Sequence, residues 1–349
     1  MKGRIVVLGT LADRRAAALL VDGRLDDLLI EDGGDRPALG ATYRAVADRP
    51  MKGQGGIVLK LADGARGFLR QSKGIAPGDA LTVQTTGHAE PGKATPVTPD
   101  ILFKSRFVIV TPGRPGYNVS RSLRDDERRD ELLALVHDVA GPPADLGLIL
   151  RSAAETGSDE DIADDILATI ATARAILAED GNAPELLLDG PDPHALAWRD
   201  WQMPDAIETD ADAFDRLGVI DAIDALRGPA VELGGEGRMY VEATRAMVTV
   251  DVNTGADTSL AAGLKANIAA IRALPAQLRC RGLGGQVTID LAPMAKKERR
   301  TIEQVLRAAF RADSVDTILA GWTPLGCFEL QRKRERLPLH ETLPKGWNR

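Results

Sequence analysis

The segment MVTVDVNTG, Met247 to Gly255, carries an acid and an amide near the end of a strand built for burial. Alternation sends Val248, Val250 and Val252 to one face and Met247, Thr249, Asp251 and Asn253 to the other. The later segment GGQVTIDL repeats the pattern, with Val287, Ile289 and Leu291 on one side and Gln286, Thr288 and Asp290 on the other. Each segment therefore ends in an aspartate on its polar side. A helix between them makes a strand–helix–strand unit, which, if parallel, has a right-handed crossover. Ligand sites in such sheets lie at the carboxyl ends of the strands. Two carboxylates and an amide oxygen meeting there suit Mg²⁺, which takes oxygen ligands and keeps several waters. An ion so held positions a phosphodiester and activates a water. An Asp-Asn pair at a strand end also serves as a turn former or helix cap, so spacing by itself leaves both readings open.

The elements that must position these residues can be read along the chain. Residues 1–35 give three strands, RIVVLG, AAALLV and RLDDLLIE. Residues 40–100 alternate short strand candidates with turn signals, a spacing that suits a small closed barrel such as an OB-fold. LRDDERRDELLALVHDVA reads as a helix with Leu132, Leu133, Leu135 and Val136 on its apolar side. SDEDIADDILATIATARAILAED reads as a second, N-capped by Ser158. GRMYVEATRAMVTVDVN is a hairpin turning near Thr244-Arg245. The helix after it runs from Leu260 to Arg279, and Pro275 is expected to kink or shorten it. KKERRTIEQVLRAAFRAD places Ile302, Val305, Leu306 and Phe310 inward, and CFELQRKRE closes the chain's pattern as a strand. The fold class is α/β (α+β mixed) and multi-module.

The chain has 349 residues, more than one comfortable core holds. Aromatics are only 4%, so cores must rest on Leu, Val, Ile and Ala. No apolar run approaches the roughly 20 residues of a membrane span, and the N-terminus lacks a signal-peptide pattern, so a cytoplasmic location is expected. Cys280 and Cys327 give neither a disulfide framework nor a zinc pattern. The net charge of −7 argues mildly against a nucleic-acid binder, yet Lys296 to Arg336 holds ten Lys and Arg that could face phosphates or simply a solvated helix face. There is no Gly-x-x-x-x-Gly-Lys phosphate loop, and His88, His137, His194 and His340 lack metal-ligand spacing.

MVTVDVNTG followed by LKANIAAIRALPAQLRCRGLGGQVTIDLAPM resembles the catalytic segment of the ribonuclease E/G family of bacterial endoribonucleases. Asn267, Arg279, Arg281, Gly284 and Gly285 stand where the family pattern has them. LFKSRFVIVTPG, YNVSRSL and GLILRSAAETG resemble successive family blocks, and GARGFLR with GIAPGDALTVQ resembles its OB-fold insert. The resemblance implies an RNase H-like framework (1–36 and 181–228), an inserted OB-fold that binds RNA (37–100), a 5′-sensor module (101–180) and a DNase I-like catalytic module (229–349). It implies Asp251 and Asp290 as Mg²⁺ ligands, with Asn253 completing the catalytic set. It implies RNA contacts by Phe68, Lys104, Arg106 and Arg121, and a 5′-phosphate pocket of Val119, Arg151 and Ser152. The implied partner is single-stranded RNA and the reaction its hydrolysis.

Departures from the pattern carry their own expectations. Val58 stands near the family's second barrel aromatic, Pro293 replaces an acid after Asp290, and Asp313 to Asp316 reads DSVD where a basic run is expected. Weaker RNA grip and altered end-sensing follow. The zinc-linking cysteine pair is missing before the sequence stops at Arg349, so a zinc-linked tetramer is not expected, and a homodimer or monomer stays open. A non-catalytic RNA binder on the same scaffold is the alternative.

Overall fold

The computed structural model describes residues 2–34, 36–51, 53, 55–70, 73–89, 92–235, 237–344 and 347; Arg349 lies outside them. The chain divides into two compact units, Met1–Gly34 with Pro204–Arg349, and Asp35–Met203. No helix among the described residues is long and apolar enough to cross a membrane.

The first unit opens with strands β1 (Arg4–Leu11), β2 (Arg14–Val21) and β3 (Arg24–Ile30), an antiparallel meander. Its two tight turns hold Ala12, Asp13, Asp22 and Gly23 at positive φ, which suits the twist of a two-residue hairpin.

The second unit begins with β4 (Thr42–Met51), β5 (Gly56–Lys60), β6 (Arg66–Leu69), β7 (Ala80–Thr85) and β8 (Thr95–Thr98). They run in the order β4-β5-β6-β8-β7, and β4 also pairs with β7, closing an OB-like five-stranded barrel. Ala45, Ala47, Leu59 and Val83 fill its narrow interior. Next come β9 (Phe103–Lys104), β10 (Val108–Pro112), β11 (Gly116–Val119), helix α1 (Asp126–Ala140), β12 (Leu146–Leu150) and α2 (Asp159–Leu177). The sheet β11-β12-β10-β9 packs Val108, Val110, Leu148 and Leu150 into one core with Leu132 and Val136 of α1 and Ile162 and Ile166 of α2. Ser158 caps α2 by accepting from the Asp161 N–H at 3.1 Å, as its sequence signals. The unit ends with β13 (Glu185–Leu188), which joins β4, and α3 (Pro193–Asp200), capped by Asp192.

The first unit then resumes. Strand β14 (Ala206–Glu208) pairs in parallel with β1, followed by helices α4 (Ala213–Arg216) and α5 (Val219–Arg227). Strands β15 (Ala230–Glu232), β16 (Arg238–Ala243) and β17 (Val248–Asn253) lead to α6 (Leu260–Cys280), β18 (Gly285–Asp290), α7 (Arg299–Arg311), β19 (Thr317–Trp322), β20 (Phe328–Arg332) and α8 (Leu339–Thr342). The six strands order as β15-β16-β17-β18-β20-β19. Helices α6 and α7 share one core with Val248, Val250, Val252, Val287 and Ile289, so one face of the sheet is covered. Ile302, Leu306 and Phe310 of α7 are buried as their spacing requires, each contributing about 1.5–3 kcal/mol.

The expected break at Pro275 does not occur: α6 runs unbroken through it to Cys280. A proline inside a helix costs about 3 kcal/mol. Pro275 is itself buried, and Ile271, Leu274 and Leu278 pack around it in the core, so tertiary burial offsets the lost backbone bond.

A buried ion network ties the ends of this unit together. The Arg279 guanidinium reaches Asp313 and the Asp26 carboxylate at 3.0 Å. Arg332, 1% exposed, shares the enclosed Asp313 carboxylate, and Arg336 grips Asp27 through both oxygens. Removing one partner of such a network strands the others in a poor solvent for charge. Asp313→Ala is expected to lower unfolding free energy by about 3–5 kcal/mol, read from the urea midpoint.

Candidate active site

The site is set by the pairing of β17 with β18. The strands are parallel, with Val248 opposite Val287, Val250 opposite Ile289 and Asp251 opposite Asp290. Cross-strand partners share a face, and neighbouring strands lie about 4.8 Å apart. The valine and isoleucine row enters the core under α6 and α7; the aspartate row lies on the open face, where Asp251, Asn253 and Asp290 are all exposed. The Asn253 amide donates to Asp251 Oδ2 at 2.7 Å and fixes that carboxylate's direction. Arg238, opposite Asn253 on β16, is held by Glu232 at 2.8 Å. Among the described residues neither Asp251 nor Asp290 has an ion-pair partner. Cys327 lies close to Asp290, and burial, then the Asp290 charge, pushes its thiol up. Two like charges thus stand side by side beside a neutral thiol.

The exit of β18 is clamped from below. Asn267, fully buried on α6, donates to the Ala292 carbonyl and accepts the Ala292 N–H, both at 2.9 Å. One turn earlier, Gly263 lets the Pro293 carbonyl so close that a Cβ there would lie 1.9 Å from its oxygen. These two helical positions fix the backbone immediately after Asp290.

Among the described residues no three His, Cys, Asp or Glu side chains gather as a metal-holding group. A two-carboxylate set is what Mg²⁺ uses when it retains most of its water. The exposed, unpaired pair with a tethered amide fits that ion.

Several of the expected phosphate-facing cations serve the fold. Arg332 and Arg336 lie in the buried network, and Arg281 donates to Gln277 and the Gly228 carbonyl. Arg299 stacks 4.5 Å from the Trp322 ring, and Arg307 pairs with Glu303. Lys296, Lys297 and Arg300 remain exposed, and they follow Asp290 closely in the chain. Burial pushes the Cys280 thiol up to about 12, which leaves it an inert core group.

The remaining sequence-nominated residues lie in the second unit. Phe68 is half-buried; its ring lies over Gly56, and it sits opposite buried Val58. Lys104 and Arg121 are exposed. Arg106 is 7% exposed, its guanidinium 4.3 Å from the Trp198 ring, and burial, then Arg151, lowers its pKa. Val119 is buried and Ser152 is exposed at the start of a short 3₁₀ turn. Arg151 donates to the carbonyls of Ser105, Arg106 and Arg199 and to Asp200 Oδ1 at 2.8 Å. Burial raises the Asp200 carboxyl, but hydrogen bonds and charge from Arg199 and Arg151 together hold it below the usual carboxylate range. Asp200 and Trp198 were not singled out from sequence. A lone Trp-Arg-Asp triplet gives no periodicity, and its meaning comes only from the residues folded against it.

An α/β chain with an inserted OB-like barrel and two carboxylates at adjacent strand ends is the class these observations define. It matches the model of the ribonuclease E/G family over residues 103–209 and 200–335, and it belongs to that family. It is 28% identical over 312 residues to ribonuclease G of Salmonella typhimurium, covering 77% of this chain and 62% of that protein. It is 24% identical over 383 residues to ribonuclease E of a Nostoc species (93% and 55%) and 26% identical over 388 to ribonuclease G of Haemophilus influenzae (93% and 78%). The chain thus spans under two thirds of the length of the first two.

Asn267→Leu strands the Ala292 N–H and carbonyl inside the core. It is expected to cost about 1–3 kcal/mol for each group, measured by urea unfolding.

Proposed function

We propose that this chain is an endoribonuclease that hydrolyses phosphodiester bonds of single-stranded RNA, with Mg²⁺ held by Asp251 and Asp290. The observation that carries the reading is the aspartate pair: two adjacent exposed carboxylates in direct register, with no ion-pair partner among the described residues. Opposed like charges destabilise a sheet unless a cation joins them. Membership of the family and the names ribonuclease G and ribonuclease E carried by its relatives support an RNA phosphodiester as the substrate.

In hydrolysis the oxygen of water bonds to phosphorus, the bond from phosphorus to a ribose oxygen breaks, and the leaving oxygen gains a proton. A bound Mg²⁺ supplies charge neutralisation and a more acidic water. The chain's own part is orientation. Asn253 holds Asp251, the Asn267 clamp holds the backbone behind Asp290, and exposed Lys296, Lys297 and Arg300 attract the RNA backbone. The four-stranded β14-β1-β2-β3 sheet would be the RNase H-like framework and the six-stranded sheet the DNase I-like module. The proposed activity is a cytoplasmic one.

End-sensing is a separate matter. An arginine grips a terminal phosphate with free donors. Arg151 already spends donors on three carbonyls and Asp200. We therefore assign Arg151 to holding α3 against the β12 end rather than to the RNA terminus.

A cleavage assay on a short A/U-rich single strand tests the reading. Cleavage is expected with Mg²⁺ and not with EDTA, and Asp251→Asn or Asp290→Asn should abolish it. Asn253→Ala should lower it by about 10–100-fold, the usual cost of losing a group that orients a metal ligand. Normal cleavage by both aspartate variants would refute the site, and RNA binding without any cleavage would leave a binding protein on this scaffold.

Two further outcomes are expected. Substrates with 5′-phosphate and 5′-hydroxyl should be cut at equal rates. Mg²⁺ should raise the melting temperature of the wild type and not of the doubly substituted Asp251→Asn/Asp290→Asn protein, which in EDTA should melt higher than wild type because the repulsion is gone.

A further inference from the structure

Trp198 is 55% exposed in a chain whose aromatic content is 4%. Its neighbour Trp201 is 9% exposed. Exposure of this one indole is built rather than incidental. The Arg106 guanidinium lies 4.3 Å from the Trp198 ring centroid and 5.7 Å from that of Phe107. Arg106 Nη1 donates to the Trp198 carbonyl, so the same side chain binds the residue's backbone and supports its ring. Arg106 is itself more than nine-tenths buried, and its Nε has no hydrogen-bond partner.

A buried cation with an unmet donor is costly unless something compensates it. The surrounding groups do so only in part. Arg151 and Arg199 add two positive charges, while Asp200 binds both of them and Asp165 accepts from Ser105 and the Phe107 N–H. The patch therefore combines a fixed flat ring, a cation beside it and a local excess of positive charge.

We propose that the exposed surface of Trp198 is a stacking platform for a base of single-stranded RNA, with Arg106 locked against the ring. This rests on the reading of the chain as an RNA enzyme. Every base offers a π-face, so an exposed indole takes any of them, and the arginines draw the flanking phosphates. The charge excess favours RNA over an apolar protein partner. Trp198 supplies what the barrel gives up, since Phe68 is half-buried and Val58 stands opposite it.

The test uses the full chain in EDTA, where binding is separated from cleavage, and a fluorescein-labelled ten-nucleotide oligoadenylate read by anisotropy. Trp198→Ala is expected to weaken binding roughly 5- to 150-fold, the range that one stacked base provides. Trp198→Phe should retain most of the affinity and Trp198→Leu should not, which separates a ring from mere apolar bulk and does not depend on the alanine variant folding. An oligomer of abasic sugar-phosphates should bind the wild type and Trp198→Ala equally. Unchanged oligoadenylate affinity in Trp198→Ala, or equal affinities for the Phe and Leu variants, overturns the platform. Cleavage by Asp251→Asn and Asp290→Asn would remove the nuclease site without touching Trp198, whereas a wild type that binds no RNA removes both.

Discussion

One row of the parallel pairing between β17 and β18 brings together the two acids on which the proposed activity rests. Asp251 faces Asp290 because Val248, Val250, Val287 and Ile289 all need the same covered face. A shift of one residue would turn the acids into the core and the valines into water, so burial enforces the register. The crossover helix then removes the remaining freedom. Gly263 and Asn267, four residues apart on one side of α6, bring the backbone after Asp290 into contact and bond it twice. At the other end of the crossover, Gly282 sits at φ +64°, and a Cβ there would lie 1.8 Å from the Leu337 carbonyl oxygen. Chain geometry, not side-chain attraction, therefore brings the carboxylates together.

The basic residues of the last third of the chain divide into two populations with different physics. Arg279, Arg332 and Arg336 are inside, sharing Asp26, Asp27 and Asp313, and they join the N-terminal hairpin to the sheet that carries the acids. Such pairs add little net stability over apolar packing but punish any alternative arrangement that leaves one charge alone. The guanidinium is suited to this because its planar fork serves two carboxylates at once. Lys296, Lys297 and Arg300 keep their charge in water. The DSVD stretch belongs to the first population: its Asp313 is the hub of the buried network, so an acid there is a folding requirement of this chain.

In the second unit the same distinction separates Arg151 from Trp198. Arg151 is engaged by carbonyls and Asp200, whereas the Trp198 ring is supported by Arg106 and left open. Arg151, nominated by its place in a motif, is engaged with the chain around it, and Trp198, without any motif, is the exposed indole.

Much of this was legible in the sequence because it depends on local periodicity. The two strands ending in aspartate, the helix between them, the Ser158 cap and the inward residues of α7 follow from spacings of two and three to four. The DVNTG and LRCRGLGG motifs named the family, and the short-strand spacing of residues 40–100 announced the barrel. What the sequence by itself could not determine is which charges are buried. Arg279 and Arg281 look alike, two residues apart, and only the folded chain sets Arg279 against Asp26 and Asp313 and Arg281 against the Gly228 carbonyl. The same holds for Pro275, whose helix-breaking tendency is local and whose tolerance comes from the core around it. Local patterns fix elements because backbone and neighbouring side chains repeat with a short period. The partner of a charge lies up to hundreds of residues away, and solvation, which sets its energy, exists only once those distant segments have closed around it.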